Sequence, residues 1–183
     1  MNICLLYASQ RPDSFSNRLA DIFLKALPSE PCITAVNAYE LKVAPCDGCG
    51  QCKDGFVCRH RDMDEFFDKL EKCDLLVIAT PVYLFGLPAP LKAIMDRFQP
   101  LYEKSLLGGN TKKKPAVLIS ACGRSGKASL PCLKLQVNAA LEEIGFYPFG
   151  EIFVTDTDTE ATIKEAMFKA NSLAGAVIRV RNH

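Results

Sequence analysis

Apolar positions along this chain alternate between short unbroken runs and stripes of helical spacing. Residues 2–8, "NICLLYA", form a continuous run of the kind a strand buried on both faces requires. Phe15, Leu19, Ile22, Phe23 and Ala26 then share one helical face. "CITAVNA" (32–38) is a second strand candidate, and residues 39–61 carry no periodicity. Met63, Phe66, Phe67 and Leu70 follow the i, i+3, i+4, i+7 spacing of an amphipathic helix. "DLLVIAT" (74–80) is the strongest strand signal. A loop punctuated by Pro and Gly follows, and residues 90–99 read as one helix. "PAVLISA" (115–121) predicts a fourth strand, and Leu130, Leu133, Val137, Leu141 and Ile144 stripe the next helix. "FYPFGEIFV" (146–154) holds a fifth, less regular strand. Thr157 with Glu160 forms a capping-box pattern before a last helix. The apolar face of that helix carries Ile163, Ala166, Met167, Ala170, Ala174, Val177 and Ile178.

Strands alternating with helices imply a parallel sheet covered on both faces, a three-layer α/β sandwich. Right-handed crossovers leave few topologies. Five strands suit the flavodoxin-like order 2-1-3-4-5. No repeat, low-complexity segment or long linker divides the sequence. The expectation is one domain over residues 1–183, with a cysteine-rich insertion at about 39–61.

Ligands of such sheets bind beyond the carboxyl ends of the strands, where the strand order reverses. Three loops converge there. "SQRPDSFSN" (9–17) sets Ser9, Ser14, Ser16, Asn17 and Arg11 at the start of a helix, whose free N–H groups and dipole favour a phosphate. A plain helix cap by Ser14 or Ser16 is the alternative. "TPVYLFGLP" (80–88) carries Tyr83, Leu84 and Phe85 where water favours polar residues. A flat ring packed against it, a subunit interface or a core plug would each explain that. "SACGRSG" (120–126) is small enough for close backbone approach to a ring, and equally suits a tight turn.

Composition narrows the chemistry. Lys and Arg total 22 against 21 Asp and Glu, so net charge provides no general attraction to nucleic acid or anionic membrane. The N-terminus lacks a positive n-region, and its apolar run is too short for a signal peptide. The longest uncharged run, Leu75 to Leu91, is broken by Pro81, Gly86, Pro88 and Pro90, so it does not read as a membrane span. A cytoplasmic location is the expectation. There, nine cysteines imply thiols, metal ligation or redox chemistry rather than a disulfide framework. Only His60 and His183 are histidines, and no G-x-S-x-G elbow or G-x-x-x-x-G-K-[ST] loop occurs. "TDTDTE" (155–160) lacks the glycine and distal glutamate of an EF-hand and reads as a helix cap.

"TPVYLFGLPAPLKAIMDRF", together with S-x-R-x-x-S-x-S-N after the first strand, resembles the NADPH-dependent FMN reductase group of flavodoxin-like proteins. The resemblance covers nearly the whole chain. "CDGCGQCKDGFVC" (46–58) followed by "RDMDEFFDKL" resembles that group's iron–sulfur flavoprotein branch. It implies FMN in the cleft formed by these loops. Ser9, Arg11, Ser16 and Asn17 would hold the phosphate. Pro81, Val82, Tyr83, Leu84 and Phe85 would flank the isoalloxazine, and Ser120, Cys122 and Gly123 would close its far side. The first loop departs from the short Thr/Ser-rich loop of true flavodoxins, which favours a reductase over a simple carrier.

Cys46, Cys49, Cys52 and Cys58 are spaced C-x2-C-x2-C-x5-C, and close runs of this kind hold Fe–S clusters through thiolates. Gly48, Gly50 and Gly55 let the backbone turn, and Lys53, Arg59 and Arg61 supply positive charge. Three states fit the spacing: one self-contained [4Fe–4S] cluster, free or oxidised thiols, and a structural zinc. Cys4, Cys32, Cys73, Cys122 and Cys132 read mostly as buried small apolar residues. The expected activity is an FMN-dependent oxidoreductase, with NAD(P)H as co-substrate or a ferredoxin-like protein as donor. Its acceptor would be a flavin, a quinone, a similar small molecule or a redox protein. The alternatives are a non-enzymatic FMN- or metal-binding redox sensor and a flavodoxin-like electron carrier. A homo-oligomer, dimer or tetramer, is expected, with no nucleic-acid or membrane partner.

Overall fold

The apolar runs lie side by side as one parallel sheet, with β-favouring side chains at its centre. The computed structural model describes residues 1–28, 30–108, 113–123, 129–157 and 159–181, the side chains of 178–181 excepted. The strands are β1 (Asn2–Tyr7), β2 (Cys32–Asn37), β3 (Leu75–Pro81), β4 (Lys114–Cys122) and β5 (Phe146–Thr155). Their order is β2-β1-β3-β4-β5, the predicted flavodoxin-like topology. All seven positions of β3 are buried, which its central place demands and its unbroken apolar run foretells. β2 is an edge strand with its first four residues exposed.

Side chains of successive strand residues go to opposite faces. Leu6, Ile78 and Leu118 pack with Phe66, Leu91 and Val137 on one side. Leu5, Val77 and Val117 pack with Leu19, Phe23 and Ala170 on the other. The covering helices are α1 (Phe15–Lys25), α2 (Asp64–Lys72), α3 (Ala89–Asp96), α4 (Gln99–Leu106), α5 (Ser129–Glu143) and α6 (Glu160–Arg181). Burying a side chain such as Phe23 stabilises the fold by roughly 1.5–3 kcal/mol.

The structure departs from the pattern in several places. The single helix expected over 90–99 ends at Asp96, and α4 begins at Gln99 with Pro100 in its first turn. Proline lacks an N–H and its ring obstructs the preceding turn, so it starts a helix where it cannot continue one. The last helix is capped by Thr159, not Thr157: Thr159 Oγ1 accepts the Thr162 N–H at 3.3 Å. Asp156 lies in the left-handed region at φ 54°, which turns the chain before that cap. Ala166, Ala170, Ala174 and Val177 are buried as expected, but Met167 is exposed beside them. Small alanines let α6 approach closely, which leaves no room for a wider apolar stripe. Ile178's side chain lies outside the described residues. The irregular fifth strand has a physical cause. Ala116 pairs with Pro148 and Val117 with Gly150, leaving Phe149 as a bulge beside a proline that cannot donate to the ladder.

Among the described residues no helix is long and apolar enough to cross a membrane. Cys4 and Cys73 are buried as expected, whereas Cys32 and Cys132 are exposed and Cys122 is half-buried. Burial, with Cys73 beside it, pushes the Cys4 thiol up to about 12. That fits a packing role.

Candidate functional site

The sheet register fixes which loops meet. Tyr7 pairs with Ala79, and Thr80 pairs with Ser120. The chain leaving β1, β3 and β4 therefore emerges along one carboxyl edge. The Ala8 N–H still donates to the Ala79 carbonyl at 2.8 Å, so Ser9 starts its loop against β3.

Ser9, Ser14, Ser16 and Asn17 are all buried there, while Arg11 is exposed. Ser14 is the N-cap of α1: its Oγ accepts the Asn17 N–H at 3.3 Å. That leaves Ser16 free of the capping role, with its Oγ 3.4 Å from that of Ser14. Ser9 Oγ accepts the Arg11 N–H at 3.3 Å, which bends the loop over the helix end. Asn17 Nδ2 donates to the carbonyls of Arg11 and Pro12 at 3.3 and 3.5 Å, so its side chain braces the same loop. Asn17 Oδ1 and, across the edge, Ser120 Oγ are buried with no hydrogen-bond partner among the described residues. Buried polar atoms of that kind cost about 1–3 kcal/mol each unless something else satisfies them.

The loop after β3 is a small hairpin. Val82 extends the pairing beyond Pro81 by donating its N–H to the Ala121 carbonyl at 3.0 Å. Tyr83 and Gly86 then exchange both N–H···O bonds at 3.0 Å. Between them Leu84 and Phe85 take φ values of 46° and 63°. Two successive left-handed residues define the turn that Asn-Gly favours, and bulky side chains occupy it only under strain. The turn pushes Leu84 to 93% exposure and Phe85 to 59%. Tyr39, leaving β2, interacts with the Tyr83 hydroxyl and extends the edge toward the cysteine loop. Cys122 ends β4 and Gly123 follows it onto this edge; Arg124, Ser125 and Gly126 of the third loop lie outside the described residues.

The cysteine segment joins β2 to α2 and is folded by its own charges. Asp47 accepts the Cys49 N–H at 3.2 Å, pairs with Arg59 at 2.8 Å and stands 3.4 Å from His60 Nε2. Gly48 and Gly50 have φ of 69° and 77°, conformations open to glycine at little cost. A single 3₁₀ turn, Gln51–Lys53, carries Cys52. Cys46, Cys49, Cys52 and Cys58 all line one recess of about 210 Å³, together with Arg97. Burial pushes the Cys52 thiol up, and Glu103, Cys49 and Cys58 push the same way. Four thiols around one hollow suit a thiolate-bound centre, although no three potential ligands among the described residues already stand close enough to hold a metal ion. Of the expected cations, Arg59 is engaged by Asp47 and Arg61 by Asp64 at the head of α2. Lys53, the third expected cation, does line the recess from an exposed position, and Arg97 adds a buried cation there.

Arg97 was not singled out by sequence. Its side chain is 1% exposed and pairs with Asp62 Oδ1 at 2.6 Å. It also donates to the carbonyls of Ala44 at 2.7 Å and His60 at 2.9 Å. Asp62 in turn accepts the Ala44 N–H at 2.8 Å. Burial works to raise the Asp62 carboxyl, but Arg97's hydrogen bonds and charge and the Ala44 N–H hold it below the usual carboxylate range. One signal was present: in "LKAIMDRF" the arginine follows the spacing of Leu91, Ile94 and Phe98, which are core residues.

An open parallel sheet with a buried polar cradle after its first strand and an apolar hairpin after its third is the framework of a flavin- or nucleotide-binding α/β protein. Residues 1–159 match the family model for NADPH-dependent FMN reductases, and the chain belongs to that family. An iron–sulfur flavoprotein of Methanosarcina thermophila is 46% identical over 57 residues, 31% of this chain and 30% of that protein. An iron–sulfur flavoprotein of Methanocaldococcus jannaschii is 32% identical over 103 residues, 55% of this chain and 53% of that protein. The matched segments thus span about half or less of these relatives' length. An FMN-dependent NADH-azoreductase from Bacillus anthracis, solved in complex with FMN, has a TM-score of 0.74 at 16% identity, covering 97% of this chain and 99% of that one. At that identity the likeness speaks to the fold.

Proposed function

We propose that the chain is an FMN-dependent oxidoreductase that takes electrons from NAD(P)H or a ferredoxin-like donor. It passes them to a flavin, a quinone or a similar acceptor. The observation that carries this reading is the carboxyl edge: buried Ser9, Ser16 and Asn17 stand at a helix N-terminus, and an apolar hairpin stands beside them. Arg11 with those three residues would hold the phosphate. Pro81, Val82, Tyr83, Leu84 and Phe85 would flank the ring, and Ser120, Cys122 and Gly123 would close it. When bound, FMN supplies the electron transfer itself. The chain's residues bind it, orient it and keep one ring edge open to reactants. Family membership and the azoreductase likeness support this reading.

Cys46, Cys49, Cys52 and Cys58 would hold one [4Fe–4S] cluster, a reading supported by the shared recess and by the iron–sulfur flavoprotein relatives. The loop would close further around it, because metal binding would supply order that few apolar residues provide here. The protein would act in the cytoplasm as a homo-oligomer, with the hairpin tip near the seam and all 183 residues forming one domain.

Anaerobic purification with an absorption spectrum, an iron assay and NAD(P)H turnover against a quinone tests the whole. FMN retained through gel filtration, with iron present and turnover measured, is the expected result. Retention of FAD alone rejects the cofactor. FMN without iron after reconstitution rejects the cluster and leaves a simple FMN reductase. FMN without turnover makes the protein a sensor or carrier.

A further inference from the structure

Arg97 sits at the junction of α3 and α4, far in sequence from the segment it binds. A guanidinium has five N–H donors in a fixed fork. Four are accounted for. Nη1 reaches the Ala44 carbonyl at 2.7 Å and Asp62 Oδ2 at 3.4 Å, and Nη2 reaches the His60 carbonyl at 2.9 Å and Asp62 Oδ1 at 2.6 Å. The fifth, on Nε, is buried without a partner among the described residues. Arg97 lines the cysteine recess, and Cys58 interacts with its guanidinium. A neutral thiol is a weak acceptor, whereas a thiolate sulfur accepts a charge-assisted bond well.

We propose that Arg97 is the positioning residue of the cysteine site. It fastens both ends of the loop, at Ala44 and at His60–Asp62, to the α3–α4 junction, and it offers its remaining N–H to the sulfur of Cys58. The sulfur part of this inference rests on the cluster reading given above; the fastening does not. Hydrogen bonds to cluster sulfurs and net charge at the site set its reduction potential, and a fixed cation favours the more negative, reduced state. Lysine cannot reproduce the fork, since its charge is a point on a flexible stem. Removing the arginine alone would strand Asp62, so the severe variant changes both partners together.

Wild type, Arg97→Lys and the double variant Arg97→Gln with Asp62→Asn are made without oxygen and reconstituted with iron and sulfide. FMN retention, iron per chain and midpoint potential are read on each. Each iron-free protein is also digested with trypsin, and cleavage after Lys53 is timed. All three should keep FMN. Arg97→Lys should keep iron with its potential shifted below wild type. The double variant should lose iron and be cut faster at Lys53. A variant with wild-type potential, iron and cleavage rate overturns the inference. Loss of FMN by both variants also overturns it, because Arg97 would then serve the sheet rather than the loop. Wild type without iron rejects the cluster reading and with it the sulfur bond. The cleavage rates then judge the fastening alone: faster cutting in the double variant supports it, and an unchanged rate overturns it.

Discussion

Leu84 is held in a left-handed conformation at φ 46° while 93% of its surface faces solvent. Such a residue costs about 1 kcal/mol in backbone strain and recovers almost nothing through burial in the free chain. Asparagine tolerates the same φ because its short polar side chain bonds locally. Leu84→Asn should therefore stabilise the flavin-free protein by about 1 kcal/mol, a melting rise of roughly 2–4 °C for a chain of this size. Leu84→Ala removes the side chain but keeps the strained φ, so it should gain little. The two variants separate backbone strain from solvent-exposed apolar surface. Thermal unfolding of both, followed by circular dichroism without flavin, gives the comparison. The FMN-induced rise in melting temperature should be smaller for Leu84→Asn than for wild type if, as proposed, the apolar tip flanks the flavin ring. If Leu84→Asn melts no higher than Leu84→Ala, the strain argument is wrong.

Ser16→Ala with Asn17→Ala should weaken FMN by roughly 1–3 kcal/mol, since each lost hydrogen bond contributes about 0.5–1.5 kcal/mol; fluorescence titration of released flavin measures it, and unchanged affinity would remove both residues from the phosphate site. Cys49→Ser should abolish iron uptake while FMN remains bound, as read by iron assay and flavin absorbance on the same sample. Leu84→Asp with Phe85→Asp should convert the proposed oligomer to monomer in sedimentation, and a wild type that sediments as monomer at micromolar concentration counts against the seam.

The sheet was legible because its strands are nearly all apolar. β3 is buried at every position, so its unbroken run reads unambiguously. Helix ends were less legible, because Pro100 and Thr159 act through local geometry that an apolar stripe does not encode. The cysteine spacing and the apolar hairpin were visible as composition, but the strain at Leu84 and Phe85 was not, since neither residue type announces positive φ. Arg97 was hidden for a different reason. Its partners lie 35 to 53 positions away, and nothing in a linear pattern pairs a charge with backbone carbonyls at that distance.

The two-ended fastening makes residues 45–59 a cassette. The anchor bonds fall on Ala44, His60 and Asp62, and most of the chain between them is not called upon by the sheet. Closing a longer loop costs only about 0.6 kcal/mol per doubling of its length. Cysteines could therefore be gained, lost or respaced inside the cassette while the flavin edge stays as it is. A transplant experiment follows naturally: a scaffold with the same sheet would need an arginine at the α3–α4 junction and an aspartate before α2 before it could accept this loop.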